Sequence, residues 1–354
     1  MEFRCTSQRS RRTWRKDRLR FRGCLVLVGI LAGPLTPASL ATALWQQPQA
    51  LTSGARACSS PAVLVTRSGT LWVFYQGGDP EDFNTHELYC RRFARGRWSD
   101  EIRLTSNRYG DFSPSACQAP DGRIWLFWGT GRGNNYDTYE IQYRTFDGRR
   151  WSDPQPLTNN QLGDFSPSAI WTKKGQLWCF WIRGQGYDFS TYEVYYRIFN
   201  RRTWSEEYRL TRDEAIDFNP EVIEDRQGRL WLVRSSQQKG QLDLVCQIFA
   251  GGRWRSPRLP IENPAGGHFN PHLLQDWSGR FWLTWDSCTE DMASFEVFFA
   301  TSSDGIKWSA RKPLTRSGWS RDAAIGLDLQ GRVWVFWTQG SPNRPQIFYS
   351  RLRG

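Results

Sequence analysis

Short apolar runs rich in Trp, Tyr, Phe, Ile and Val alternate with polar turn signals from residue 44 onward. In one typical stretch, the run Arg123–Trp128 (RIWLFW) precedes the run Glu140–Phe146 (EIQYRTF), and turns are marked by Asp121-Gly122 and Asp147-Gly148. Runs of this composition, bounded by Asp-Gly, Gly-Arg or Pro, indicate strands joined by tight turns. Apolar residues do not recur at spacings of three and four over any helix-length window of this region, so the pattern predicts an all-β chain.

The runs belong to a repeat with a period of 51 to 53 residues. A Gly-x-x-Trp segment returns six times, with its aromatic residue at Trp72, Trp125, Trp178, Trp231, Trp282 and Trp334. A turn-like Pro keeps the same register at Pro61, Pro114, Pro167, Pro220 and Pro271, with Ala324 in the sixth unit. A second Trp follows at Trp98, Trp151, Trp204, Trp254 and Trp308. Units of roughly 40–50 residues with four strands are typical of propeller blades. The sequence therefore predicts a six-bladed β-propeller of four-stranded antiparallel blades, with the repeated Trp residues packed between blades.

The two ends of the repeat region predict how the ring closes. The sixth unit ends after its third strand, whereas residues 44–52 (LWQQPQALT) match Trp151–Thr158 (WSDPQPLT) in their Trp, Pro and Leu-Thr positions. We therefore expect residues 44–52 to be the outer strand of blade six, so that the N-terminal strand closes a propeller domain spanning residues 44–354.

Residues 1–43 have the composition of an export signal. Residues 1–23 contain nine Lys or Arg and two acidic residues, residues 24–35 form a short apolar core, and Ala41-Thr42-Ala43 fits a small-residue cleavage site. The segment predicts a secreted, periplasmic or extracellular protein. An uncleaved membrane anchor is the alternative, and the export route stays open.

Most of the positive net charge of the chain lies in this segment. The formal net charge is +12, of which +7 lies in residues 1–23, so residues 44–354 carry about +5 without a basic run. We expect no nucleic-acid partner, no membrane association after cleavage, and a monomer.

Six cysteines lie in the repeat region. Cys90, Cys179 and Cys246 occupy slots that hold apolar residues in other units, so we expect them to be buried fillers. Cys58 and Cys288 fall near predicted loops, and a disulfide between them is left open.

One turn suggests a family. The segment Ser302–Ser309 (SSDGIKWS) resembles the Asp box of sialidase-like propellers, the bacterial neuraminidase repeat, and weaker forms occur at Asp147–Ser152 and Gly96–Ser99. The resemblance implies a sialidase-like propeller in which Asp304 holds a turn between the third and fourth strands, away from catalysis. A working sialidase is not predicted, because neither the family's arginine cluster nor its Phe-Arg-Ile-Pro motif is found.

The residues three positions before the Pro landmark are candidate ligand-binding groups. They are Cys58, Asp111, Asp164, Asp217, His268 and Arg321. Since loops that enter the innermost strands open on one face of a propeller, we expect Asp111, Asp164, Asp217, His268 and Arg321 to form a polar rim around the channel. The three Asp residues can share a cation or act as acid and base groups. Alternatively, Asp before Ser-Pro or Asn-Pro serves only to hold a turn.

A second set of positions lies three residues after each repeated Trp. It contains Tyr75, Trp128, Trp181, Arg234, Trp285 and Trp337. Aromatic faces at a channel mouth can stack on sugars, although packing between blades is the favoured explanation, and Arg234 alone breaks the pattern.

The fold and these rim residues predict an exported propeller that binds a glycan or another small polar ligand at the channel mouth. A glycoside hydrolase of sialidase-like type and a protein-interaction scaffold are the alternatives. The sequence assigns no catalytic residue, no metal site and no cofactor beyond the cation considered for the three Asp residues.

Overall fold

The architecture comes from a computed structural model that describes residues 44–54, 56–212, 215–238, 241–255, 267–289 and 293–353. The predicted export segment, residues 1–43, lies outside the described residues. Within the described part the chain forms six antiparallel sheets of four strands, one of which carries an extra short strand. The prediction of an all-β, six-bladed propeller is confirmed.

Each blade uses consecutive strands, with the innermost strand first in sequence. Blade one contains β2 (Ala57–Val65), β3 (Leu71–Asp79), β4 (Asp82–Ala94), β5 (Arg97–Trp98) and the extra strand β6 (Ile102–Arg103). Blade two contains β7 (Gly110–Gln118), β8 (Ile124–Arg132), β9 (Asn135–Phe146) and β10 (Gln155–Pro156). Blade three contains β11 (Gly163–Trp171), β12 (Leu177–Gln185), β13 (Asp188–Phe199) and β14 (Tyr208–Arg209).

The remaining blades repeat this order. Blade four contains β15 (Ile216–Glu224), β16 (Leu230–Gln238), β17 (Gln241–Ala250) and β18 (Arg253–Arg255). Blade five contains β19 (His268–Gln275), β20 (Phe281–Cys288), β21 (Phe295–Ser302) and β22 (Lys312–Pro313). Blade six contains β23 (Ser320–Leu327), β24 (Val333–Gln339) and β25 (Gln346–Arg351), and its outer strand is β1 (Gln49–Ala50).

The repeated Trp residues hold neighbouring blades together. Trp125 of blade two packs on Phe199 and Trp204 of blade three, with ring centroids 5.4 and 6.5 Å away. Trp178 of blade three packs in the same way on Phe249 and Trp254 of blade four. The Gly-x-x-Trp side chain thus fills the space between the third strand and the closing segment of the next blade, which confirms the predicted packing role.

The ring closes as predicted. Strand β1 pairs antiparallel with β25, and Trp45 stands edge-on to Trp282 with centroids 6.3 Å apart. The equivalent pair, Trp72 and Trp151, is 6.4 Å apart. Moreover, the backbone N–H of Ile347 donates to Thr52 Oγ1 at 2.9 Å, and the same bond closes blades one, two, three and five. Residues 44–52 therefore form the closing segment of blade six and make the same contacts as the closing segments of other blades.

Every innermost strand contains a β-bulge at the same position. The bulged residues adopt positive φ, between 47° and 54°, at Ser60, Ser113, Ser166, Asn219, Asn270 and Asp322. The left-handed region is unfavourable for most residues and is tolerated best by Asn and Asp among those with a side chain. The bulge bends the strand, so that the residues after it face a different direction from those before it.

The cysteines of the described residues are all buried, and none of them forms a disulfide. Cys90, Cys179 and Cys246 are at most 1% exposed, which confirms their role as fillers. Cys58 and Cys288, for which a disulfide was left open, do not pair. In the same part of the chain, no helix has the length and apolar character needed to cross a membrane.

Candidate functional site

The predicted rim carboxylates face the second predicted set of residues within their own blades. Trp128 Nε1 donates to Asp111 Oδ1 at 3.0 Å, and Trp181 Nε1 donates to Asp164 Oδ1 at 2.9 Å. A buried indole N–H needs an acceptor, and the carboxylate of the neighbouring strand provides it. In blades two and three, members of the two sets are therefore hydrogen-bond partners.

Blade four keeps this partnership with a different donor. Arg234 takes the place of the Trp, and its Nε donates to Asp217 Oδ1 at 2.8 Å, while Nη1 donates to Gln247 Oε1 at 2.7 Å. In blade five, His268 stands edge-on to Trp285 with ring centroids 5.9 Å apart. The break in the aromatic pattern at Arg234 is thus an internal ion pair.

Burial separates these residues from the solvent. Asp111, Asp164 and Asp217 have no exposed surface, and the predicted platform residues Trp128, Trp181, Trp285 and Trp337 are at most 2% exposed. Trp337 Nε1 donates to Gln339 Oε1 at 2.8 Å instead of to a rim residue. Direct ligand contact by these side chains stays a prediction, and their contacts favour a supporting role.

One position was misassigned. The pairing of Arg321 with Thr338 corresponds to that of Phe112 with Gly129, so Ser320, not Arg321, is the equivalent of Asp111 in blade six. Blade six lacks the Pro landmark, and counting from Ala324 shifts the register by one residue. Arg321 lies beside the bulge instead, with Nε 3.8 Å from Asp322 Oδ2.

Burial also changes the acidity of the carboxyl groups. It raises the pKa of Asp111 to about 6, although hydrogen bonds to that carboxyl oppose the effect. The pKa of Asp164 is also raised by burial, against the opposing influence of Arg183, whose Nε lies 2.7 Å from Asp164 Oδ1. No group of three or more His, Cys, Asp or Glu side chains in the described ranges is arranged to hold a metal ion. The three Asp residues are therefore not grouped there as a cation site.

The central channel contains a cavity of about 440 Å³ that is lined by the residues following the rim carboxylates. The bulged residues of all six blades contribute to its wall. Because the bulge reorients the strand, the Ser, Asn and Asp side chains at these positions line the channel, while the preceding Asp side chains are buried in their blades.

At the position two residues after the bulged residue of each innermost strand, charged side chains occur on one side of the cavity only. His272 Nδ1 lies 3.1 Å from Glu221 Oε1, and Ser168 Oγ donates to Glu221 Oε2 at 3.0 Å. The equivalent residues elsewhere are Ala62, Ser115 and Ala324. Burial raises the pKa of Glu221, with the neighbouring His272 acting in the opposite direction. Blades three to five therefore make this wall chemically distinct.

The turn that carries the family resemblance is stabilised by hydrogen bonds to the side chain of Asp304. Asp304 Oδ1 accepts from the backbone N–H groups of Ile306 and Lys307, both at 2.8 Å. This contact fits a turn role for Asp304, whereas the Asp-box assignment itself rests on the sequence resemblance.

No protein-family model and no curated protein matches the chain. Solved structures do. A protein of unknown function from Dyadobacter fermentans is 12% identical, with 86% of this chain and 99% of that chain covered and a TM-score of 0.70. A Trypanosoma rangeli sialidase in complex with the inhibitor DANA is 9% identical, with coverage of 84% and 55% and a TM-score of 0.58. A Penicillium chrysogenum alpha-L-arabinanase complexed with arabinobiose is 12% identical, with coverage of 83% and 92% and a TM-score of 0.63.

This chain has a sialidase-like six-bladed propeller fold. It spans about half the length of the Trypanosoma rangeli sialidase. At these identities the likeness establishes the fold, and the chemistry of the channel has to be argued from this chain's own residues.

The channel of this sialidase-like propeller contains a pair of carboxyl groups that the sequence did not suggest. Asn270 Nδ2 donates to Asp286 Oδ2 at 2.7 Å and to Asp322 Oδ1 at 2.8 Å. The backbone N–H of Asp322 also donates to Asp286 Oδ2, at 2.8 Å. Asp286 is fully buried, and its Oδ1 has no hydrogen-bond partner. Burial, followed by the negative charge of Asp322, raises the pKa of Asp286 well above its usual range.

We expect Asp286→Asn to reduce the pH dependence of stability. A folded-state pKa above the unfolded value means that the native state binds the proton more tightly, so stability falls as the pH rises above the usual Asp range. An amide has no proton to lose, and its oxygen keeps both hydrogen bonds of Oδ2. Urea unfolding should therefore show that the free energy of unfolding falls less between mildly acidic and neutral pH in the variant than in the wild type. Equal losses in the two proteins would contradict the raised pKa.

The charged residues of the cavity wall can be recognised in the sequence by comparing the six repeats. Glu221 and His272 occupy a slot filled by Ala or Ser in the other blades, which marks them as departures from the repeat. The Asp286–Asp322 pair had no such signal, because its members come from different blades, where the amide of Asn270 and the backbone N–H of Asp322 connect them.

Proposed function

We propose that this propeller is a glycan-binding protein whose ligand occupies the central cavity. The observation that carries the proposal is the charged pair on one side of that cavity, where Glu221 and His272 come from neighbouring blades and lie near the bulged residue Asn270. Its volume of about 440 Å³ lies in the range of roughly 300–1,000 Å³ that is typical of ligand sites.

The donors and acceptors of this wall suit sugar hydroxyl groups. Carboxylate oxygens of Glu221 and Asp322 accept from hydroxyl groups, and Ser and Asn side chains at the bulges both donate and accept. Support also comes from the structures with the same fold, two of which hold a sialidase inhibitor and arabinobiose.

We expect Glu221→Gln to weaken binding of the preferred glycan by roughly tenfold, because charge-assisted hydrogen bonds contribute about 1.5–3 kcal/mol. The preferred glycan would come from an array screened with residues 44–354, and calorimetry would give the affinities. The amide keeps the shape of the side chain and the hydrogen bond from Ser168. Since burial raises the pKa of Glu221, binding to the wild type should weaken as the pH falls, starting above the usual Glu range.

A matched control is Glu206→Gln, which removes one negative charge from an exposed side chain outside the cavity wall. Its affinity should equal that of the wild type. Equal weakening in the two variants, or none in Glu221→Gln, would place the ligand away from the cavity.

Glycoside hydrolysis in the same cavity is the second candidate, and the Asp286–Asp322 pair favours it. Glycosidases use two carboxyl groups, one of them with a raised pKa, and perturbed acids concentrate at active sites. Asp322 lines the cavity, whereas Asp286 lies behind it and positions it through Asn270. A hydrolysis screen on the array sugars, with Asp322→Asn as the comparison, decides between binding and cleavage: release of product by the wild type alone supports hydrolysis.

We also propose that the protein is exported and acts as a monomer. The support for export is the basic and apolar composition of residues 1–43 and their small-residue cleavage site. Mass spectrometry of the protein outside the producing cell should find Leu44 at its N-terminus. A full-length mass in the membrane fraction would favour an uncleaved anchor.

A further inference from the structure

Two arginines converge on one tyrosine where two loops of blade two meet. Arg108 and Tyr109 directly precede β7, and Arg132 is the last residue of β8. Arg132 Nη2 donates to Tyr109 Oη at 3.2 Å, and its Cζ lies 5.2 Å from the centroid of the Tyr109 ring. The Cζ of Arg108 lies 5.0 Å from the same centroid. Both guanidinium groups therefore contact a single phenol.

Neither arginine has an acidic partner in the described part of the chain. The buried or half-buried arginines Arg183 and Arg234 both pair with carboxylates. In contrast, no ion pair of the described residues includes Arg108 or Arg132, and both side chains are exposed. Two like charges held on one ring repel each other, and an anion placed between them would remove that repulsion.

The donors of this cluster suit an oxyanion. Guanidinium groups present planar pairs of N–H donors that match carboxylate and sulfate oxygens, and the phenol of Tyr109 adds a further donor. The electrostatic effect is already visible on the phenol, because the hydrogen bond from Arg132, and less strongly Arg108, lowers the pKa of Tyr109. The cluster is thus a preformed site of positive potential.

An exposed aromatic ring contacts the hairpin that follows Arg132. Tyr187, in the turn between β12 and β13, is 61% exposed, and its hydroxyl donates to the backbone oxygen of Asn134, two residues after Arg132. Its ring lies 4.5 Å, centroid to centroid, from that of Tyr136. An exposed ring packed on the hairpin that carries Arg132 provides a stacking surface for a sugar, which a free inorganic anion would not need.

We propose that Arg108, Tyr109 and Arg132 form a subsite for the carboxylate or sulfate group of an acidic glycan. The glycan part of this inference rests on the proposed function, whereas the oxyanion part does not. The subsite lies on the loops of blade two, and its residues are distinct from Glu221, His272 and Asp322 of the cavity wall.

The test compares oligogalacturonate with its methyl ester, which has the same backbone but no charge. Calorimetry with the propeller, residues 44–354, should show tighter binding of the free acid. The double variant Arg108→Gln and Arg132→Gln should bind the free acid roughly tenfold or more weakly, since two charge-assisted contacts are lost. Its affinity for the ester should equal that of the wild type. All these side chains are exposed, so the melting temperature should stay that of the wild type.

The control is the double variant Arg149→Gln and Arg202→Gln, which also removes two exposed positive charges, from turns of blades two and three. It should bind the free acid like the wild type. Equal weakening in both double variants, or equal affinity for acid and ester in the wild type, would overturn the subsite.

Inorganic sulfate separates this inference from the proposed function. If sulfate competes with neither sugar and its binding does not depend on Arg108 and Arg132, the subsite is wrong even where a neutral glycan still binds through Glu221. If sulfate binding depends on both arginines while no oligosaccharide binds, the oxyanion site stands and the glycan function fails. Displacement of oligogalacturonate by short single-stranded DNA at equal concentration would overturn the assignment to acidic sugars.

Discussion

Removing residues 44–52 is expected to open the ring and cause aggregation. The deletion takes away β1 and leaves β25 as an unpaired edge of blade six, and exposed edges of this kind pair with other chains. It also removes Trp45, which fills the space beside Trp282 and Phe299 at the blade five interface. Blades five and six lose contacts together, so the effect should reach beyond the deleted strand.

The measurement is light scattering together with thermal unfolding, on one protein that begins at residue 44 and another that begins at residue 53. The first should be monomeric, and the second should melt at a lower temperature and form large species. A shortened protein that stays monomeric with an unchanged melting temperature would show that β1 does not close the ring.

Trp178→Ala is expected to lower the free energy of unfolding by about 3–5 kcal/mol, the usual cost of truncating a buried aromatic side chain. Trp178 is 5% exposed and packs on Phe249 and Trp254 of the next blade. The substitution leaves a cavity between two blades, which neither blade can fill by a small rearrangement. Denaturant unfolding gives the value directly.

The matched control for Trp178→Ala is Trp277→Ala, because Trp277 is 57% exposed. It should cost less than about 1 kcal/mol, as exposed substitutions usually do. Trp181→Ala should also be costly, since Trp181 is fully buried, and that result would speak against a sugar platform at this position. Equal costs for Trp178 and Trp277 would contradict the interface role.

The repeat predicted the fold in detail because each blade packs on its neighbours through the same sequence positions. A Trp in the second strand of one blade meets a Trp in the closing segment of the next at four interfaces, and both are periodic positions in the sequence. The same logic identified Trp45 as the missing closing residue of blade six, and its contact with Trp282 matches that of Trp151 with Trp72.

The channel was harder to predict because side-chain direction depends on the bulge. Asp111 precedes the bulge and is buried against Trp128, while the bulged residue Ser113 lines the cavity. Asn219 and Asn270 before Pro were the available signs of a left-handed residue, since Asn tolerates positive φ. Without a Pro in blade six, the register of Arg321 could not be fixed from spacing.

Other parts of the candidate sites depend on contacts between loops or blades that have no fixed sequence spacing. Arg132 and Tyr109 are 23 positions apart and meet through two turns of one blade. Asp286 and Asp322 belong to different blades and are connected by the amide of Asn270 and by the backbone N–H of Asp322. Such pairs follow from the three-dimensional arrangement of the blades.

The most direct test of the glycan-binding proposal is a crystal structure of residues 44–354 soaked with the sugar that binds most tightly on the array. The account predicts sugar density inside the central cavity, with ring hydroxyl groups within hydrogen-bond distance of Glu221 and Asp322. Density confined to the outer surface of the blades, with the cavity occupied only by water, would contradict it.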